Sequence, residues 1–173
     1  MKVTLHATSV TIAGLASVLS FGALAQEKKP TTESHRVVRT TDLKWNPIIS
    51  GWEIAVVSGD PDAVGEPFVI RFRGVDGAKV PAHWHPTDEN ITVLRGTFLM
   101  GMGDAYDSTK LQPVKTGDYA VVPKEMRHFA RAKGETILQA HGIGPFKVNW
   151  VNPNEVVPPS PTHTTSATPA KSK

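Results

Sequence analysis

The stretch Gly77–Gly96, GAKVPAHWHPTDENITVLRG, decides how the chain is read. In a β-strand, residues i and i+2 point to the same side. His83 and His85 therefore aim two imidazoles at one point, while Trp84 faces the other way and reads as outer-layer packing. Pro81 and Pro86 bound the pair, so the strand that holds it is short or ends at a bend. Pro86-Thr87-Asp88 reads as a turn. Glu89 then opens a second strand and shares a face with Ile91 and Val93. The expected hairpin swings the Glu89 carboxylate back over the two histidines. Asp88 would be the alternative carboxylate, but it sits on the wrong parity relative to Ile91 and Val93.

A second stretch, Gly117–Ala132 (GDYAVVPKEMRHFARA), supplies His128 from another strand. Three imidazole nitrogens and one carboxylate oxygen suit Fe(II), Mn(II), Co(II), Ni(II) or Zn(II). They fill four positions, which leaves one or two open on a five- or six-coordinate ion. The reading is thus one divalent transition metal held by His83, His85, Glu89 and His128.

Both stretches resemble the two motifs of the cupin superfamily. The first matches G-x5-H-x-H-x3-E-x6-G at Gly77, His83, His85, Glu89 and Gly96. The second resembles G-x5-P-x-G-x2-H-x3-N through Gly117, Pro123 and His128. It departs at Glu125, where the family has glycine, and at Ala132, where it has asparagine. Neither departure touches a usual metal ligand; both bear on the local turn and on the surroundings of the site. The 20 residues between the motifs, Thr97–Thr116, fit the short spacing of small microbial cupins. The resemblance covers roughly residues 37–152. It implies an all-β, cupin-type jelly-roll barrel in a single domain, with the same four residues as metal ligands.

The remaining pattern agrees with an all-β chain. Short strands separated by Gly/Pro turns recur every eight to twelve residues, with no long helical period. Phe68–Arg73 alternates, with Phe68, Ile70 and Phe72 on one face and Val69, Arg71 and Arg73 on the other. Arg71 is a candidate for an anionic substrate. Gly96 reads as a tight turn into Thr97–Met102, where Phe98, Met100 and Met102 share a face and Met100 is a candidate pocket wall. Thr136–His141 reads as a strand that puts Gln139 and His141 on one side. Gln139 is a candidate substrate contact and His141 a candidate general base. Trp45 and Trp52 read as core anchors in a segment, Leu43–Ile54, laid across one end of the barrel. The last strand is expected at Phe146–Val151.

Residues 1–25 read as a secretory signal: Lys2, an apolar run from Val10 to Leu24, and an Ala23-Leu24-Ala25 cleavage site. The expected compartment is the bacterial periplasm or the medium. Residues 26–36 read as a linker, 37–152 as the domain, and 153–173 as a disordered tail rich in Pro, Thr and Ser. The sequence has no cysteine, which excludes disulfides, thiolate ligands and a lipidated cysteine anchor. Removing residues 1–25 takes away Lys2 and no acid, so the formal charge falls from +3 to +2. No basic stripe interleaved with aromatics appears, so nucleic acid is not an expected partner, nor is a membrane once the signal is cleaved. The expected partner is a small molecule. Homodimerisation through sheet edges is common in similar proteins.

The resemblance leaves the reaction open. Cupins include dioxygenases, isomerases, decarboxylases and lyases, and others only bind or sense. A dioxygenase-like oxidation of a small oxygenated compound leads. Non-catalytic binding or sensing is the alternative, as is isomerase, decarboxylase or lyase chemistry.

Overall fold

The computed structural model describes residues 34–159. Within them, the chain from Val37 onward forms one compact unit. Nine antiparallel strands follow in order: β1 (Asn46–Ile49), β2 (Trp52–Ser58), β3 (Pro67–Gly74), β4 (Lys79–Trp84), β5 (Glu89–Met102), β6 (Gln112–Lys115), β7 (Tyr119–Val122), β8 (His128–Ile143) and β9 (Asn149–Trp150). Three single-turn 3-10 segments, Thr40–Asp42, Ser108–Lys110 and Pro153–Glu155, are the sole helical pieces among the described residues. No helix there is long and apolar enough to cross a membrane.

Two long strands form the spine. β5 and β8 pair from Asn90↔His141 to Met102↔His128. Each is shared by two shorter partners along its outer edge. On β8, β3 takes the half from Thr136 to Ile143 and β4 the half from His128 to Arg131. On β5, β7 takes Glu89–Thr92 and β6 takes Thr97–Met100. The result is a jelly-roll barrel. One wall runs β1-β2-β3, then the C-terminal half of β8, the N-terminal half of β5, and β7. The other runs β9-β4, then the N-terminal half of β8, the C-terminal half of β5, and β6.

The bend between the walls is visible in the register. The β5–β8 ladder shifts between Val93 and Arg95 and again between Arg95 and Thr97. Gly96 lies in this bulge at φ +78°, and a Cβ there would stand 2.3 Å from the Glu135 carbonyl oxygen. Only glycine tolerates both the backbone angle and the approach. Gly96 is therefore not the tight turn the sequence suggests; β5 runs through it as one strand and bends.

Alternation sets the core. Inward residues of the first wall include Trp52, Ile70, Ile91, Val93 and Leu138; those of the second include Phe98, Met100, Ala130 and Ala132, all buried. The Trp52 ring lies on Gly74, where any side chain would collide with it at 2.7 Å, and meets Phe98 edge-on at 5.9 Å. Past Asn152 the chain stays folded: Ser50 N–H donates to the Val157 carbonyl at 2.8 Å, and Val156 packs against the core. Residues 1–33 and 160–173, which hold the expected signal and most of the expected tail, lie outside the described residues.

Candidate metal centre

The hairpin expected between β4 and β5 does not form. β4 pairs with β8 and β9, and β5 with β6, β7 and β8. Pro86 has no N–H to continue a ladder, so residues 85–88 carry the chain from one wall to the other. His83 and His128 sit directly opposite each other on β4 and β8 of one wall. Glu89 opens β5 in the facing wall, and His85 lies on the crossing between them. The four side chains meet from two walls and a connection, and all are buried.

The distances describe a tight cluster. One ring nitrogen each of His83, His85 and His128 lies within 4.8 Å of the others. Glu89 Oε2 is 3.4 Å from His128 Nε2 and 3.6 Å from His85 Nε2. Each histidine is oriented through its other nitrogen. His83 Nδ1 lies 2.8 Å from the Pro81 carbonyl, His85 Nδ1 2.8 Å from the Lys147 carbonyl, and His128 Nδ1 2.9 Å from the Met126 carbonyl. A carbonyl can only accept, so Nδ1 carries the proton and Nε2 presents a lone pair. Metal-binding histidines are fixed in this way.

The electrostatics agree. Burial, reinforced by the neighbouring His128 and His85, holds the His83 imidazole well below its ordinary 6.5. Burial also lowers His85, partly offset by the Glu89 carboxylate. Both are therefore neutral at pH 7, as a metal ligand must be. His85 Nε2 is buried with no hydrogen-bond partner. An orphaned buried acceptor of this kind costs about 1–3 kcal/mol, and a metal ion would satisfy it. The residues present fit a divalent ion.

Two motif turns are tied together behind the cluster. Lys124 N–H donates to Asp88 Oδ1 at 2.8 Å, and Glu125 N–H donates to the His85 carbonyl at 2.8 Å. Glu125 adopts φ +63°, so it takes the left-handed backbone for which glycine is the usual choice. The departure from the motif changes the residue and leaves the turn in place.

Residues 33–147 match the family described as the ChrR cupin-like domain. The chain belongs to that family. Curated proteins give no match to this cupin. Solved structures resemble it in fold. The polyketide cyclase RemF from Streptomyces resistomycificus is 18% identical with a TM-score of 0.56, over 69% of this chain and 87% of that one. An RmlC-like cupin from Shewanella frigidimarina is 18% identical with a TM-score of 0.51, over 62% and 89%. The Rhodobacter sphaeroides complex of SigE with the anti-sigma ChrR gives 23% identity and a TM-score of 0.47, over 60% and 50%.

The cluster of His83, His85, Glu89 and His128 opens on a cavity of about 300 Å³. Its walls are apolar and come from β1 to β5, β8, the segment 146–150 and Val156. Arg71, Met100, Gln139 and His141 are not among the lining residues. Arg71 Nε donates to Gln139 Oε1 at 3.1 Å across the outer face of β3 and β8. His141 shares that face, because the alternate residues Leu138 and Ala140 point inward. Met100 is buried in the core. Trp45 lies under the Arg73 guanidinium, 4.6 Å from its ring centroid. Phe146 and Trp150 are site residues that spacing from the histidines does not reveal. Phe146 stacks on His85 at 4.5 Å and 20°, and Trp150 lies 5.3 Å from His83. The available signal was the alternation Phe146, Val148, Trp150, which puts all three on one face.

Proposed function

We propose that the protein is an exported cupin that holds one divalent transition metal (Fe, Mn, Ni or Zn) through His83, His85, Glu89 and His128. We read it as a metal-dependent, dioxygenase-like oxidoreductase acting on a small oxygenated organic compound. The observation that carries this reading is the junction of an oriented histidine cluster with an apolar cavity. When bound, the ion supplies Lewis acidity or, if redox-active, a site for dioxygen. The chain's residues do the rest. Pro81, Lys147 and Met126 carbonyls aim the imidazoles. The apolar walls exclude water and hold the substrate against the cluster. Among the described lining residues no titratable side chain exists besides the four ligands. That favours chemistry at the ion over chemistry that needs a separate acid or base. His141 and Arg71 therefore take no part in the proposed reaction.

The test is elemental analysis of protein isolated from its own compartment, joined to an oxygen-uptake screen. His83→Ala and His128→Ala should each lose the metal; unchanged metal content in both would sink the ligand assignment. Redox-inert zinc at full occupancy would remove the oxidoreductase reading. The bare apolar walls would then favour the second reading, a cupin that binds or senses a small molecule without transforming it.

A further inference from the structure

We infer that the cavity selects a compact ligand with one aromatic ring whose single anionic or oxygen-donor group lies at the end facing the histidine cluster, and that it rejects polyhydroxylated compounds. This rests on the metal reading above and narrows it to a substrate class. The cavity, at about 300 Å³, is roughly twice the ~150 Å³ apolar void that admits a benzene molecule. It has room for one substituted ring. Its polar groups are gathered at one end: the three histidines and Glu89. Every other described lining residue is aliphatic or aromatic. The indole nitrogens of Trp52 and Trp150 are the other side-chain polar atoms of the lining; that of Trp52 is covered, with no hydrogen-bond partner.

Several of the walls are flat. Phe146 lies nearly parallel to His85, Trp150 leans on His83, and Trp52 and Phe98 meet edge to face. Rings pack against such surfaces by offset stacking or edge-on contact. A carboxylate or phenolate at one end would face the ligand cluster. A hydroxyl against the aliphatic walls, away from the cluster and the Trp150 indole N–H, would be buried without a partner, a loss expected to weaken binding roughly ten- to a hundredfold. Ile48 and Val148, exposed at 41% and 40%, are lining residues that also reach solvent, so the solvent-facing part of the lining is apolar too.

The experiment uses the full chain, with metal content measured first by elemental analysis. Calorimetry on the metal-loaded protein compares benzoate, 3,5-dihydroxybenzoate and gluconate. Ligand-observed NMR follows toluene on the loaded and the chelated protein. Benzoate should bind at least tenfold more tightly than 3,5-dihydroxybenzoate, whose two flanking hydroxyls meet the walls. Gluconate should not bind. Toluene should bind with or without metal, and benzoate only with it. Gluconate binding as well as benzoate, or neither toluene nor benzoate binding, overturns the inference. If no metal loads yet toluene still binds, the apolar selectivity stands and the metal reading is what fails.

Discussion

His83 has the most to lose when the medium is acidified. Its folded-state pKa is held below 6.5, mainly by burial, while in the unfolded chain it titrates near 6.5. Below that value the unfolded state binds more protons, so stability drops as the pH is lowered; above it this group contributes no slope. The chelated protein should therefore lose melting temperature as the pH drops below about 6.5, with His85 adding in the same direction. His83→Gln should flatten that loss, and melts of both proteins across the range would show it; equal slopes would remove His83 as the cause. Glu125 gives a second prediction. At φ +63° a non-glycine residue costs about 1–3 kcal/mol, partly offset by glycine's greater freedom when unfolded. Glu125→Gly should stabilise the protein by about 1 kcal/mol, read as a raised midpoint in urea. The residues that meet in the cluster were legible because each is a chemically distinctive type at fixed spacing. Phe146 and Trp150 were harder to assign, because an aromatic residue in an alternating run looks the same whether it packs on core or on an imidazole.

Strand positions were easier to read than strand partners. The inward set Phe68, Ile70 and Phe72 follows from period two, and β3 bears it out with Phe68 and Ile70 buried and Phe72 part-buried. Pairing does not follow from periodicity, and the assumption that β4 and β5 form a hairpin fails for that reason. Two strands joined by four residues can fold back or cross over, and the edges of β8 and β5 settle which. The same limit made Gly96 look like a turn, since positive φ serves a bulge as well as a hairpin. Gly96→Ala should cost at least about 2 kcal/mol, because its Cβ would overlap the Glu135 carbonyl in a left-handed backbone. The crossing at 85–88 has its own test. Asp88 is exposed and binds no histidine, yet its carboxylate fixes the turn that leads to His128. Asp88→Ala should weaken metal binding about tenfold, the scale seen when groups that orient ligands are removed, with little change in melting of the chelated protein. Asp88→Asn keeps an acceptor oxygen and should recover most of the affinity. A purely structural role would instead shift melting and leave metal affinity alone.

Across the whole molecule, the cavity is closed by pieces far apart in sequence. β1 supplies Ile48 and Ile49, and the segment after Asn152 supplies Val156. These two pieces are joined by the Ser50 N–H bond to Val157. Composition alone marked residues 153–173 as a disordered tail, because Pro, Thr and Ser dominate and no period repeats. Two adjacent valines were too little signal against that background, although one of them completes an apolar wall. A chain ending at Glu155 should keep its nine strands and its histidine cluster but lose the Val156–Val157 segment that bonds to Ser50. The lost burial of Val156 and the lost backbone bond together remove about 1–3 kcal/mol, read as a lower midpoint in urea. Toluene affinity should fall with it, since one wall of the cavity then opens to water. A chain ending at Pro159 retains both contacts and should match the full chain in both measurements. If the shorter chain binds toluene as well as the longer one, Val156 merely rests on the barrel, and the cavity is closed by β1 and the segment 146–150 without it.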